Sequence, residues 1–446
     1  MREETIAAIA TPPGKGGVAI VRMSGPDALS VAERMFVPSG AVKVKDFVPY
    51  RLYPGNICAD GFSDYGLCVF FRAPRSYTGE DVVEFQCHGG ESVARGILKK
   101  CFSLGARSAG RGEFTRRAFL NGKLSLASAE GLADMINGES EAEVRAGYLL
   151  YSEKLTGKVR ACQDELKELL AGADAAVDYP EEDLEETEAE ALRPALGRLR
   201  AEISALASGY AKGRKIKSGV TVAICGKPNT GKSSLLNRLL GYEKAIVSEV
   251  AGTTRDAVEG TLEIGGVRFN LYDTAGVRES GDKIEAIGIE RAEKIVRSAD
   301  LVIFVADSAA GTDGEDARVL ALAEGKPLIK IFNKIDLTGD ETPTDADVLT
   351  SARTGEGIGR LKELMYEKGF GERSEDAAFL VEERHYEALR RAAESLGRAQ
   401  EGCGARPLEL VAADMTEAWE TLGEITGETA SEAVVEEIFS KFCVGK

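Results

Sequence analysis

The chain is poor in the groups that build most metal sites. It has two histidines, His88 and His385, and eight cysteines with no C-x-x-C among them. Zinc needs three or four nitrogen or thiolate ligands at close spacing, so zinc chemistry is not expected. The cysteines read as small core residues, since 446 residues can build full cores without disulfides. Long apolar runs are absent too. None reaches the roughly 18 residues of a membrane span, and the opening MREETIAAIATPPGKGG has no apolar stretch of signal-peptide type. A cytoplasmic protein without membrane attachment is therefore expected. Positive charge is also scarce: 56 Lys and Arg face 73 Asp and Glu, a net −17. The deficit is uneven. Residues 1–120 carry 16 basic and 12 acidic groups, and the remainder carries 40 and 61. Such a chain is ill suited to gripping nucleic acid alone, so a nucleic-acid substrate would call for a more basic partner; otherwise the acidity serves solubility.

Three textures follow one another. Residues 1–117 mix short β-like runs (GVAIVRM, GLCVFFR, DVVEFQC) with Gly/Pro turns, which predicts an α+β domain. Residues 118–215 carry apolar groups at three-to-four-residue spacing and read as helical. Residues 216–371 alternate strands (GVTVAIC, VRFNLYD, LVIFVAD, PLIKIFN, DVLTS) with helices, the pattern of a doubly wound, mostly parallel sheet. Helices return over 372–446, so the economical organisation is a helical domain with an α/β domain inserted in it.

The α/β stretch carries a nucleotide motif. Gly226-Lys227-Pro228-Asn229-Thr230-Gly231-Lys232-Ser233 is G-x-x-x-x-G-K-[ST] between a strand and the helix-like SLLNRLL that begins at Ser234. Backbone amides and the helix terminus suit phosphates. Lys232 is expected at the β- and γ-phosphates and the Ser233 hydroxyl at Mg²⁺. Asn333-Lys334-Ile335-Asp336 ends a strand; the Asp336 carboxylate can accept both N1–H and N2–H of guanine, a donor pair adenine lacks. Ser351-Ala352-Arg353 fits a loop facing the guanine oxygen. In this order the motifs specify GTP. Between them, Thr254 of Gly252-Thr253-Thr254-Arg255-Asp256 is the expected second Mg²⁺ hydroxyl, and Asp273-Thr274-Ala275-Gly276 is the expected contact with metal and γ-phosphate.

Val277 stands where a water-orienting Gln follows this motif in Ras-like proteins. Charge and water must be handled otherwise. Asn229 can offer a carbonyl oxygen to a monovalent cation, joined by the Ser248 and Val250 carbonyls and the Thr253 hydroxyl of Ser248-Glu249-Val250-Ala251-Gly252-Thr253. K⁺ held there would supply the charge of an arginine finger. For the water, Glu279, Asp282, Glu285 and Glu290 are equivalent by chemistry.

The full series of motifs, from ATPPGKGGVAIVRMSG through RSYTGEDVVEFQCHGG, RGEFTRRAFLNGKLSLASAEG, GKPNTGKSSLLN, AGTTRD, DTAGVRES and EITGE to the terminal FCVGK, resembles the MnmE (TrmE) family of bacterial tRNA-modification GTPases. The resemblance runs the length of the chain. It implies an N-terminal domain of folate-binding type, a helical domain and an inserted Ras-like domain. It also implies a homodimer, a FAD-dependent MnmG-type partner in a heterotetramer or larger complex, and K⁺-dependent GTP hydrolysis. The implied reaction adds an aminomethyl or carboxymethylaminomethyl group at C5 of the wobble uridine, with one carbon from a 5-formyl- or methylene-tetrahydrofolate. By position, the resemblance singles out Glu285 as the water-positioning acid, with Arg278 in the same switch. It places folate at Arg22, Glu84, Lys123 and Lys446, and raises Cys443 as a thiol for one-carbon transfer or a packed neighbour of the pterin. His88 reads as a packed turn residue. Ser125 stands where the family commonly has Asp. Two rivals are a ribosome-assembly switch, against which the acidic flanks and the missing basic G-x-x-G unit count, and a folate-binding scaffold with a vestigial GTPase domain.

Overall fold

The computed structural model describes residues 4–178, 184–241, 260–273, 293–310, 314–338, 345–371 and 382–446. They form two compact units, Met1–Ala133 with Leu150–Ile203 and Ala388–Lys446, and Asp134–Leu149 with Ser204–Glu387.

The first unit contains strands β1 (Ile6–Ile9), β2 (Val18–Ser24), β3 (Phe36–Pro38), β4 (Leu52–Ala59), β5 (Phe62–Phe71), β6 (Val82–His88) and β7 (Arg107–Ser108). They pair in the order β3-β4-β5-β6-β2-β1-β7, antiparallel throughout except β1 with β7. Side chains alternate across the sheet. Ala7, Val21, Met23, Phe85 and Cys68 face a core closed by helices Ala28–Met35 and Glu91–Ser103. Ile6 and Ala8 face the other side, where Phe114 of helix Glu113–Leu120 and Ala109 cover them. The helical part of this unit pairs Lys154–Asp178 with Leu408–Thr426, and Gln163 Nε2 donates to the Trp419 carbonyl at 3.3 Å. Helix Glu432–Ser440, capped by the Ser431 hydroxyl, packs Val435, Ile438 and Phe439 on Leu126 and Ala129.

The second unit holds a six-stranded sheet of β8 (Val220–Cys225), β9 (Gly260–Ile264), β10 (Val267–Asp273), β11 (Leu301–Asp307), β12 (Leu328–Asn333) and β13 (Val348–Thr350), ordered β13-β12-β11-β8-β10-β9. All neighbours are parallel except the β9–β10 hairpin at the edge. β8 and β11 are apolar on both faces, because helices cover both. Lys232–Gly241 and Ile358–Gly369 pack on one side, and Ile295, Val296 and Ala323 on the other. The expected doubly wound α/β fold is thus present. Segment Asp134–Leu149, helical in pattern like its sequence neighbours, clusters with this sheet. The contacts are specific: Ala142 N donates to Gly266 O at 2.9 Å, Ala146 packs on Ile216, and Arg268 pairs with Glu139 and Glu143.

Candidate functional site

The nucleotide motifs meet at the carboxyl ends of β8, β10, β11 and β12, where a doubly wound sheet places its ligand. β8 ends at Cys225 and Gly226 turns the chain with φ 141. A Cβ there would lie 2.1 Å from the Val305 carbonyl, so only glycine lets the loop leave the sheet this way. Asn229 follows with φ 65, a left-handed conformation that asparagine tolerates better than most residues. The helix then begins at Lys232 and aims its first amides at the loop. Lys232 is 5% exposed, and its ammonium donates to the carbonyls of Gly226 (2.8 Å) and Lys227 (2.5 Å). The Lys227 carbonyl also accepts from the Thr230 hydroxyl at 3.0 Å. The Lys227 side chain turns away from the loop to the buried Asp316, at 3.0 Å.

The Ser233 hydroxyl donates to Asp273 Oδ2 at 3.1 Å. Two hard oxygens, one a hydroxyl and one a carboxylate from the end of β10, thus converge beside the loop, the donor set Mg²⁺ favours alongside phosphate. No cluster of three His, Cys, Asp or Glu capable of holding a metal occurs among the described residues.

The base-reading motif is linked to the phosphate loop. Asn333 is 1% exposed; its amide donates to the Thr230 carbonyl at 3.0 Å, and its Oδ1 accepts from Ala352 N (3.0 Å) and the Thr350 hydroxyl (3.3 Å). Lys334, with φ 70, lays its ammonium against the Asn229 carbonyl (2.6 Å) and Asp307 Oδ2 (2.7 Å). Burial pushes the Asp307 carboxyl up, but Lys334 and the Ala309 amide outweigh it and hold the group below its ordinary value. Asp336 accepts from the Ser351 hydroxyl at 2.7 Å and lies 3.5 Å from Arg353, whose side chain is 81% exposed. Sequence motifs gave no side-chain role to Lys227, an unspecified position of the phosphate loop, and did not flag Asp307, Asp316 or Thr350. The one legible signal among these was an aspartate ending the strand LVIFVAD.

Ser248, Glu249, Val250, Ala251, Gly252, Thr253, Thr254, Thr274, Ala275, Gly276, Arg278 and Glu285 lie outside the described residues.

A second group forms on the outer face of the N-terminal sheet. Register places Ala8, Arg22 and Glu84 side by side across β1, β2 and β6. Arg22 Nε donates to Glu84 at 2.7 Å, and its guanidinium lies 5.4 Å from the Tyr77 ring and 5.7 Å from that of Phe114. The pair thus presents a cation and a carboxylate side by side, backed by the Tyr77 and Phe114 rings. The chain terminus runs alongside: Val444 bridges Arg111, the Lys446 carbonyl accepts from Phe114 N at 3.2 Å, and a Cβ on Gly445 would meet the Ile9 carbonyl at 2.3 Å. Lys123 donates to the Pro74 carbonyl at 3.1 Å. Ser125 accepts from Ser128 N at 3.1 Å, the capping role an aspartate would also fill. Cys443 is exposed. His88 is not packed: its ring is 70% exposed and held to Asp64 at 2.6 Å, because it ends β6 at the sheet margin.

Comparison with known proteins agrees over the whole length. Residues 5–123 match the family described as GTP-binding protein TrmE N-terminus, and residues 126–443 match the MnmE helical domain. The tRNA modification GTPase MnmE of Acetivibrio thermocellus is 40% identical over 459 residues, covering 100% of both chains. That of Natranaerobius thermophilus is 39% identical over 460 residues, again covering 100% of both. Among solved structures, a point variant of Aquifex aeolicus Era bound to GDP.AlF4- is 26% identical with a TM-score of 0.28, covering 39% of this chain and 66% of that one. The chain belongs to the MnmE family of tRNA modification GTPases.

Proposed function

We propose that this protein is a K⁺-stimulated GTPase that, with a FAD-dependent MnmG-type partner, adds a (carboxymethyl)aminomethyl group to C5 of the tRNA wobble uridine, drawing one carbon from a tetrahydrofolate. The observation that carries the nucleotide half is the Asn333 tie between phosphate loop and guanine loop, which makes base recognition and phosphate binding one rigid device. Phosphates displace the loop carbonyls now held by Lys232, and the ammonium moves to the β- and γ-oxygens. Asp336 takes the two guanine donors, steadied by Ser351. Ser233 and Thr254 hold Mg²⁺, with Asp273 beside it. Asn229, Ser248, Val250 and Thr253 hold K⁺, which when bound supplies positive charge for the phosphoryl oxygens. Glu285 orients the attacking water and Arg278 organises its switch.

Arg22, Glu84, Lys123 and Lys446 bind the folate: Glu84 pairs with the pterin donors, and the cations take the glutamate tail. Cys443 is an exposed thiol at that margin. The working division is an N-terminal folate-binding and dimerisation domain at 1–117, a helical domain in two parts at 118–215 and 372–446, and a GTPase domain at 216–371. The protein acts as a cytoplasmic homodimer; no helix among the described residues is long and apolar enough to cross a membrane.

Two measurements test this reading. GTP hydrolysis rises sharply when K⁺ replaces Na⁺ at equal ionic strength; equal rates remove the cation. Nucleoside analysis of tRNA from a strain lacking the gene shows loss of the modified wobble uridine; intact modification favours a ribosome-assembly switch.

A further inference from the structure

We propose that Arg51, Arg72 and Arg75, gathered at one end of the β4–β5 hairpin, form the surface that grips the phosphate backbone of the RNA substrate. This rests on the tRNA-modifying role proposed above. The chain as a whole is acidic and poorly suited to RNA, whereas its first 120 residues carry 16 basic against 12 acidic groups. Among the described residues of this stretch, five arginines are spent on carboxylates: Arg22 on Glu84, Arg95 on Glu91, Arg107 on Glu4 and Glu113, Arg116 on Glu432, and Arg117 on Glu80 and Glu113.

The three named here are different. Among the described residues none of them pairs with a carboxylate. Leu52 opposes Val69, so Arg51 and Arg72 emerge next to each other where the hairpin strands begin and end. The Arg51 guanidinium lies 5.7 Å from the Tyr53 ring and that of Arg72 lies 5.8 Å from the Phe70 ring, so aromatic surface orients both while their donors stay outward. Tyr50 fastens the third: its amide donates to Phe70 O at 2.8 Å and its hydroxyl donates to the Arg75 carbonyl. Tyr50 has φ 65, a costly conformation for an aromatic residue, and remains 52% exposed with its ring edge-on to Phe71. Exposed cations around an exposed aromatic ring are what a ribose-phosphate chain with unstacked bases recognises.

Nearby carboxylates cancel only part of the charge. Asp81 accepts from the Ala73 amide and keeps its one negative charge against three arginines, Asp46 shares its turn with Lys43 and Lys45, and Asp60 and Asp64 pair with Lys100 and His88. The patch also adjoins the candidate folate group, since Lys123 holds the Pro74 carbonyl one residue before Arg75. RNA held here would lie beside the one-carbon donor.

The test is binding of a labelled tRNA transcript to the full-length protein across about 50–200 mM salt, the range in which phosphate contacts are lost. Three variants are compared with wild type: R51A/R72A/R75A, the corresponding triple Lys variant, and the single Arg75→Glu at an exposed position. The triple Ala variant is expected to flatten the slope of log K against log salt by about two to three and to weaken binding at least about tenfold at 100 mM salt. Arg75→Glu weakens binding in the same direction, the Lys variant keeps the wild-type slope, and GTP hydrolysis is unchanged in all three. Wild-type affinity and slope in both the Ala and Glu variants overturn the proposal. So does a loss of molar mass by light scattering without loss of RNA binding, which makes the patch a contact between copies. Loss of folate binding with unchanged tRNA binding overturns it too. If wild-type protein binds no tRNA across this salt range the proposal also falls, while the functional reading stands or falls separately on the nucleoside analysis above.

Discussion

Asn333→Ala removes a buried side chain that holds both nucleotide loops, beside the Lys334 bond to the Asn229 carbonyl. Three hydrogen bonds go with it, to the Thr230 carbonyl, from the Ala352 amide and from the Thr350 hydroxyl. At about 1 kcal/mol net for each buried bond, the loss is about 3 kcal/mol. Two of the three join separate loops, so part of the loss appears as a looser apo state and part as the cost of ordering both loops around the ligand. If about half falls on the apo state, a domain of this size would melt about 3–6 °C lower. If about half the loss falls on binding, the GDP dissociation constant rises roughly tenfold. Discrimination between guanine and xanthine nucleotides should not change, because Asp336 keeps its own support from Ser351. Calorimetric binding of GDP and XDP, with melting curves on the same samples, gives all three numbers. An unchanged melting point together with unchanged GDP affinity would refute the tie, and a shifted GDP-to-XDP ratio would show that Asn333 reads the base.

Asp336→Asn should reverse that ratio in favour of xanthine in the same titration; retained guanine preference would remove Asp336 from base reading. Asp316→Asn cuts the buried anchor of Lys227 and should raise KM for GTP about tenfold with kcat nearly kept, whereas a matching fall in kcat would place Asp316 in the chemistry. Glu285→Ala should lower kcat by orders of magnitude with GTP affinity nearly intact, and a parallel loss of affinity would make the residue structural. Burial first, and then the charge of Glu382, push the Asp134 carboxyl up to about 7, against the pull of Lys217. The folded state therefore holds a proton there that the unfolded chain releases near its ordinary 3.8, so this group's contribution to stability is full at low pH and is lost as pH rises from about 4 to 7. Asp134→Asn should flatten that slope in urea titrations, and an unaltered slope would exclude Asp134 as its source.

Asn333 and Lys334 show where motif reading stops. The N-K-x-D spacing identified both as parts of a guanine site, yet each spends its side chain on the phosphate loop or a neighbouring strand, Asn333 on Thr230 and Lys334 on Asn229 and Asp307. Those partners stand 103, 105 and 27 residues away, beyond the reach of any local pattern. Arg51, Arg72 and Arg75 were unremarkable among 56 basic residues until the register of β4 on β5 brought them to one place. His88, read as packed, proved exposed because a strand's period says which face a residue takes but not where the sheet ends.

What the sequence by itself determined is local and periodic. The glycines of the phosphate loop, the alternation of strands and helices, the absence of membrane-length runs and the unequal distribution of charge all follow from composition and spacing a few residues wide. Tertiary structure alone decided which distant groups meet: the Asn333 tie, the anchoring of Lys227 by Asp316, the Arg22–Glu84 pair beside the chain terminus, and the attachment of segment Asp134–Leu149 to the nucleotide-binding sheet. Periodicity encodes the face of an element that seeks burial. Hydrogen bonds and ion pairs between elements are short-ranged and directional, so they exist only once packing has set the register.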